Sequence, residues 1–311
     1  MKHYKIDTIR MFVEDQGTGQ PILFIHGFPF DHTIWSRTCN VLNTDLRVIA
    51  PDLRGLGKSE LPNGYKPNGY ESNGYEPSDG QSNGYEPNGY EPSNRQSNGC
   101  KPDRWNITSM EQLADDLHLL LQTLEISEKV ILCGLSMGGY IVMQYARKYG
   151  NELAGIVLCS TKTVADSPAV AENRRKQADG LKNGTLELRS IADAMIPKLF
   201  AEKTFKNKPE IVQELRAVIE SNNPYGVAAA ALGMAERFDT TELLNELDIP
   251  VFVVCGSEDQ FSPPSEMKSI AQKAKHGKFV EIPNAGHLPP LEQPEQFAAI
   301  LKEWTLEVVK S

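Results

Sequence analysis

Apolar positions along this chain fall into two kinds of run. Short continuous ones, rich in β-branched residues, occur at Pro21–Ile25, Arg47–Ala50, Val130–Cys133, Gly155–Cys159, Val251–Cys255 and Phe279–Ile282. Continuous rather than alternating hydrophobicity predicts central strands covered on both faces, as in a parallel sheet. Amphipathic stretches lie between them. Met110, Leu113, Leu117, Leu120 and Leu124 mark one face at helical spacing, and Thr108-x-x-Glu111 just before has the form of a capping box. Pro294, at the head of EQFAAILKEWTLEVV, suits the first turn of a C-terminal helix. Strands alternating with helices predict a doubly wound, mostly parallel α/β sheet.

Two segments break the alternation. Residues 161–248 are charged and helix-prone with no convincing strand, which predicts an inserted helical lid before strand-like sequence resumes at Ile249. From Asn63 to Pro102 the chain runs in pentads: NGYKP, NGYES, NGYEP, SDGQS, NGYEP, NGYEP, SNRQS, NGCKP. That run has no aliphatic residue, and its only aromatics are tyrosines. Asn-Gly and Pro recur every few residues, so neither helix nor strand can be sustained, and little apolar surface offsets the entropy of ordering. A disordered, low-complexity insertion is expected. The expected division is therefore core at 1–62, 103–160 and 249–311, with the insertion at 63–102 and the lid at 161–248.

Composition narrows the partners. The 311 residues are 40% apolar, enough for a sizeable core, and carry 32 basic against 41 acidic side chains for a net charge of −9. With no basic run to offset that charge, neither nucleic acid nor an anionic membrane surface is an expected partner. The opening MKHYKIDTIRMFVED lacks the apolar core of a secretory signal, and no stretch nears ~18 uninterrupted apolar residues, so a cytoplasmic chain is expected. Cys39, Cys100, Cys133, Cys159 and Cys255 are odd in number and lack metal-ligand spacing, which suits small core residues in a reducing compartment. No metal and no cofactor is expected.

The chemistry concentrates at three loops. Gly134-Leu135-Ser136-Met137-Gly138-Gly139 follows the strand VILC and precedes the helical pattern YIVMQYARKYG. This is a G-x-S-x-G nucleophile elbow: small residues two positions either side let the chain turn sharply and lift the serine hydroxyl above the sheet. The turn also aims a helix N-terminus, with its unpaired N–H groups, at a developing oxyanion. A serine hydroxyl needs a base, and the base an orienting acid. His287, in IPNAGHLPPLEQP, and Asp259, in VFVVCGSEDQFSPP, both follow strands and fit those roles; the adjacent Glu258 is an alternative acid. A second oxyanion donor is expected from the Phe28 N–H, after His26-Gly27, paired with that of Met137. His26 itself reads as structural. Phe28, Phe30, Trp35 and Met137 suggest a mainly apolar acyl pocket. Gly57-Lys58-Ser59 ends like a phosphate-binding loop, but Asp52 stands where that loop needs glycine, and Asp52 and Arg54 fit a brace beneath the site.

HGFP, DLRGLGKS, GLSMGG, GSEDQFSPP and AGHLPPLEQPEQF, in that order, resemble the α/β-hydrolase superfamily. AAAALGMAERFDTTELLNELDIPVFVVCGSEDQFSPP is similar to its enol-lactone hydrolase and carboxylesterase branch. The resemblance covers nearly the whole chain except the pentad run. It implies an α/β-hydrolase fold, the triad order Ser136, Asp259, His287, an oxyanion hole at Phe28 and Met137, and a small ester or lactone as substrate. Relatives with this triad also cleave carbon–carbon bonds or thioesters or act as perhydrolases, and some serve as slow-turnover ligand receptors. Relatives that open haloalkanes or epoxides carry an aspartate where Ser136 stands.

Overall fold

The computed structural model describes residues 1–62 and 107–310; the pentad run and Cys100 lie outside the described residues. Eight strands form one sheet: β1 (Lys2–Ile6), β2 (Ile9–Gln16), β3 (Pro21–Ile25), β4 (Arg47–Pro51), β5 (Val130–Leu135), β6 (Leu153–Cys159), β7 (Val251–Gly256) and β8 (Gly277–Ile282). Their spatial order is β1-β2-β4-β3-β5-β6-β7-β8. β2 is antiparallel to both neighbours, and from β4 to β8 every pairing is parallel. All six runs read as strands from sequence are strands. The β1–β2 hairpin has no counterpart among them, because its polar, largely exposed first strand lacks a continuous apolar signature.

The helices are α1 (Ser36–Leu42), α2 (Met110–Thr123), α3 (Met137–Tyr149), α4 (Pro168–Lys182), α5 (Leu188–Leu199), α6 (Glu202–Asn207), α7 (Pro209–Ser221), α8 (Pro224–Ala235), α9 (Leu243–Glu246), α10 (Pro264–Lys273), α11 (Pro289–Glu292) and α12 (Pro294–Lys310). Neighbouring strand residues enter opposite cores. Leu23, Ile25, Leu132, Val251 and Val253 join the apolar side chains of α2, α3 and α10 on one face. Ile22, Phe24, Ile131, Cys133, Phe252 and Val254 join those of α1 and α12 on the other. Both faces are covered, which is why these strands read as unbroken apolar runs. α2 starts one residue later than its capping-box spacing predicts. The N-cap is Ser109, whose Oγ accepts from the Gln112 N–H at 3.1 Å, while the Thr108 N–H is committed to the Ala229 carbonyl at 3.1 Å.

Between β6 and β7 the described chain forms helices α4 to α9, joined by loops and with no strand, and α4 packs along α8. Pro at the first turn of α4, α7 and α8 fixes the entry of each helix. No helix among the described residues is long and apolar enough to cross a membrane.

Candidate active site

The parallel strands β3, β5, β7 and β8 end at the same edge of the sheet, and each is followed by a loop bearing one of the residues singled out from sequence. At the end of β5, Ser136 adopts φ 53°, ψ −113°, a left-handed conformation that costs a non-glycine residue about 1–3 kcal/mol. The surroundings hold it there. Its N–H donates to the Cys159 carbonyl at 2.9 Å, and its carbonyl accepts from the Gly139 N–H at 2.9 Å and the Thr161 hydroxyl at 2.6 Å. The flanking glycines are required by contact. A Cβ on Gly134 would sit 2.6 Å from the Gly139 nitrogen, and one on Gly138 would sit 2.9 Å from the Ile25 carbonyl carbon. Met137 is the first residue of α3, so its N–H has no partner within the helix.

Past β7, Asp259 is buried and faces His287, which follows β8. The His287 Nδ1 lies 2.9 Å from Asp259 Oδ1 and 3.1 Å from Oδ2. Asp259 Oδ1 also accepts from the Phe261 N–H at 2.9 Å and the Ser262 N–H at 3.0 Å. Burial works to raise the Asp259 pKa, but the His287 charge and hydrogen bond, with those two backbone donors, outweigh it and hold the carboxyl below its ordinary value. Glu258, the alternative acid, is turned away: its carboxylate accepts from the Glu202 N–H at 3.0 Å at the start of α6.

Three buried carboxylates, Asp52, Asp116 and Glu292, support the surrounding loops. Asp52 accepts from the His32 N–H at 2.7 Å, sits 2.6 Å from His32 Nδ1, and accepts from the Lys58 N–H at 2.8 Å. Arg54 is fully paired with Asp116, at 2.8 and 2.5 Å, so the brace read from DLRG is present. His26 Nε2 accepts from the Leu53 N–H at 3.0 Å; burial lowers its pKa, keeping it a neutral acceptor. Asp31, His32 and Asp52 lie close enough to hold an ion, but these hydrogen bonds already occupy His32 Nδ1 and both Asp52 oxygens. Glu292, which sequence reasoning passed over, clamps the histidine loop. Its two oxygens accept from the Gly286 N–H at 2.7 Å and the Ala201 N–H at 2.9 Å. The His287 N–H donates to the Leu199 carbonyl at 2.8 Å. Burial pushes the Glu292 pKa up. It lies within AGHLPPLEQPEQF, but a glutamate in a proline-rich stretch reads as a surface position.

Ser136, His287 and Phe28 line one cavity of about 770 Å³. Its lining includes Ile191, Met195, Leu199, Met234 and Phe261, with Tyr140 of α3 and, from the segment between β6 and β7, Lys162, Asp166, Arg174 and Arg237. Exposed Val164 and Val170 stand at its rim. Phe30, Trp35 and the Met137 side chain, expected in the acyl pocket, are not part of this lining. Phe30 and Trp35 are fully buried in the opposite core, with Trp35 5.0 Å from Phe24 and 6.0 Å from Phe297 between ring centroids. The 3₁₀ turn His32–Trp35 carries the chain beneath the sheet instead of over the site. Met137 is buried in the other core.

The sequence model of the α/β hydrolase fold matches residues 20–294. The chain belongs to the α/β hydrolase fold family. A solved thermophilic esterase from Thermogutta terrifontis, with malate bound, is 40% identical, with a TM-score of 0.82 and 99% of each chain covered. The AB hydrolase superfamily protein YisY of Bacillus subtilis is 26% identical over 98% of this chain and 99% of its own length. The 3-oxoadipate enol-lactonase 2 of Acinetobacter baylyi is 25% identical over 60% of this chain and 67% of its own. The chain is thus an α/β hydrolase of the esterase and enol-lactonase branch.

Proposed function

We propose that this hydrolase works by a serine acyl-enzyme mechanism, with Ser136 as nucleophile, His287 as general base and acid, and Asp259 as the group that orients the histidine. The observation that carries the reading is the buried Asp259–His287 pair opening onto the same cavity as the strained Ser136. A carboxylate on Nδ1 fixes the tautomer that donates there, leaving Nε2 as the lone-pair face. His287 takes the Ser136 proton as the oxygen attacks the substrate carbonyl. The oxyanion is received by the Phe28 and Met137 N–H groups, an arrangement in which losing one donor typically costs about 10²–10³ in rate. The leaving alcohol departs with the proton from His287. Water activated by the same nitrogen then cleaves the acyl-serine ester and returns the proton to Ser136. In a lactone the freed alcohol remains part of the acyl group, so the second step releases a single ring-opened acid. The helical segment α4–α9 acts as a lid roofing the acyl pocket.

The test is hydrolysis of p-nitrophenyl esters of increasing acyl length, beside enol-lactones, with Ser136→Ala as control. Serine-dependent turnover is expected. Undiminished turnover in Ser136→Ala would overturn the assignment.

A further inference from the structure

Asn222, at the corner between α7 and α8, is the C-cap of α7 and is buried, with 5% of its surface exposed. A primary amide taken out of water is unfavourable unless its polar atoms find partners. These do, in one orientation only. Oδ1 accepts from the Gly57 N–H at 2.8 Å, while Nδ2 donates to the Pro29 carbonyl at 3.0 Å and the Val218 carbonyl at 2.9 Å. Turning the amide over would set donor against donor and acceptor against acceptor. The Val218 bond stays within α7. The other two leave the helical segment and reach the loops after β3 and β4, so one side chain joins three parts of the chain.

The hold on Pro29 matters for what that turn carries. Phe28, the residue before it, lines the cavity beside Ser136 and His287. Proline has no N–H to contribute, and the Pro29–Phe30 peptide is held from both sides. The Phe30 N–H donates to the Gly27 carbonyl at 3.0 Å, and the Pro29 oxygen accepts from Asn222. These bonds close the turn 27–30 around Phe28. The Gly57 end is anchored too, because the Lys58 N–H donates to buried Asp52 at 2.8 Å. The first turn of α8 lies backbone against backbone on the same loop: a Cβ on Gly226 would collide with the Gly55 carbonyl, 2.6 Å from its carbon. Asn222 does not line the cavity, so it can act on the reaction only through the turn it holds.

We infer that Asn222 is a positioning residue of the oxyanion hole: it holds the Pro29 carbonyl and so fixes the turn that aims the Phe28 N–H at the developing charge. The inference rests on the serine-hydrolase reading, in which Phe28 supplies one of the two oxyanion donors. It makes the α7–α8 corner a fixed part of the catalytic framework. An oxyanion exists only after attack, so loosening its donor weakens transition-state binding and leaves ground-state binding alone. The loss therefore belongs in kcat.

The experiment compares wild type with Asn222→Asp, Asn222→Ser and Asn223→Ala on p-nitrophenyl acetate. Aspartate keeps an oxygen for the Gly57 N–H but sets a second one against the Pro29 carbonyl, so the turn is pushed instead of held. Serine lacks that repulsion and the amide's reach, and carries the comparison if the aspartate variant does not fold. Asn223 controls for structure alone. It caps α8 by accepting from the Tyr225 N–H at 2.9 Å, so Asn223→Ala should lower Tm by about a few degrees and leave kcat unchanged. In the Asn222 variants kcat is expected to fall about 10–100-fold, with KM held within roughly threefold. The inhibition constant of a trifluoromethyl ketone, which adds to Ser136 and places an oxyanion in the hole, should rise in proportion to the loss in kcat/KM. The pH midpoint of kcat should stay in place, because His287 and Asp259 are untouched. A folded Asn222 variant with wild-type kcat and ketone affinity overturns the inference and leaves the hydrolase reading intact. A loss confined to KM, or one that Asn223→Ala reproduces, overturns it as well. Full turnover in Ser136→Ala, or a wild type that the ketone does not inhibit, would instead remove the serine-hydrolase reading on which it rests.

Discussion

Replacing Gly138 by alanine tests whether the elbow works by close approach. The added methyl would lie 2.9 Å from the Ile25 carbonyl carbon and 3.1 Å from the His26 carbonyl oxygen, with the Ile25 oxygen nearer still. Carbon contacts settle at about 3.5–4.0 Å, so α3 and the end of β3 must part by roughly 1 Å. Neither side yields easily. Ile25 is paired with Gly134 in the sheet, and the first turn of α3 is pinned through Ser136 to Cys159 and Thr161. Overpacking of this kind costs about 1–3 kcal/mol, which for a protein of this size lowers Tm by several degrees. The same shift would move the Met137 N–H, one of the two proposed oxyanion donors. A displacement of ~1 Å in a catalytic group can cost about 10²-fold in rate. Urea unfolding followed by circular dichroism, beside kcat on a short p-nitrophenyl ester, measures both. Gly150→Ala is the control: nothing lies within 4 Å of its built Cβ and its φ is −55°, so the change should be neutral or stabilise by up to ~1 kcal/mol. A Gly138→Ala protein with wild-type stability and kcat would refute the steric account of the elbow.

Glu292→Gln leaves one oxygen for two backbone donors, so stability should fall by about 1–3 kcal/mol and kcat by at least ~10-fold as the His287 loop loosens; unchanged melting and kcat would show that the clamp is dispensable. Trp35→Phe should cost about 1–3 kcal/mol through the cavity it leaves, yet keep the acyl-chain profile unmoved, because the ring sits in the core; a shifted profile would return Trp35 to the pocket. The pH dependence of stability should show two edges. Burial pulls the His32 pKa down, but the Asp52 hydrogen bond and charge outweigh it and raise it, so this pair stabilises fully below about pH 6.5 and weakens as pH rises through the folded value. Asp52 and Asp259 resist burial through His32 and His287 respectively and end below the ordinary carboxylate value. Their contribution is complete above about pH 3.9 and is lost as pH falls through the folded values. Thermal melts from pH 3 to pH 9 should therefore plateau between these edges, and His32→Gln should flatten the alkaline one; an identical alkaline slope in the variant would contradict the assignment.

The site was legible where backbone geometry leaves a residue signature. Gly134, Ser136 and Gly138 are legible because a strand-to-helix turn with φ 53° at its apex admits nothing bulkier beside it. Asp259 and His287 are legible because each directly follows an apolar strand, and parallel strands deliver their loops to one edge. Sequence favours Asp259 as the acid but leaves Glu258 open beside it, since the choice depends on which carboxylate the turn after β7 rotates towards His287. Phe30 and Trp35 misled for a related reason: side-chain type predicts burial, but which core receives the side chain is set by the turn at His32–Trp35. Lys162, Asp166, Arg174 and Arg237 left no trace at all. Their meaning arises from convergence of α4, α8 and the loop after β6, and scattered charges in a helix-prone segment read as solvated surface. The β1–β2 hairpin was lost because edge strand β1 is polar and β2 carries only the short apolar run Met11-Phe12-Val13 before its acidic end.

The most direct test of the central claim is to react the enzyme with a p-nitrophenyl alkylphosphonate, measure intact mass, and map the adduct by peptide sequencing. One phosphonyl group per chain on Ser136, with complete loss of esterase activity and no adduct in Ser136→Ala, is the predicted result. Full turnover in Ser136→Ala, or inactivation with the label on another residue, would contradict it.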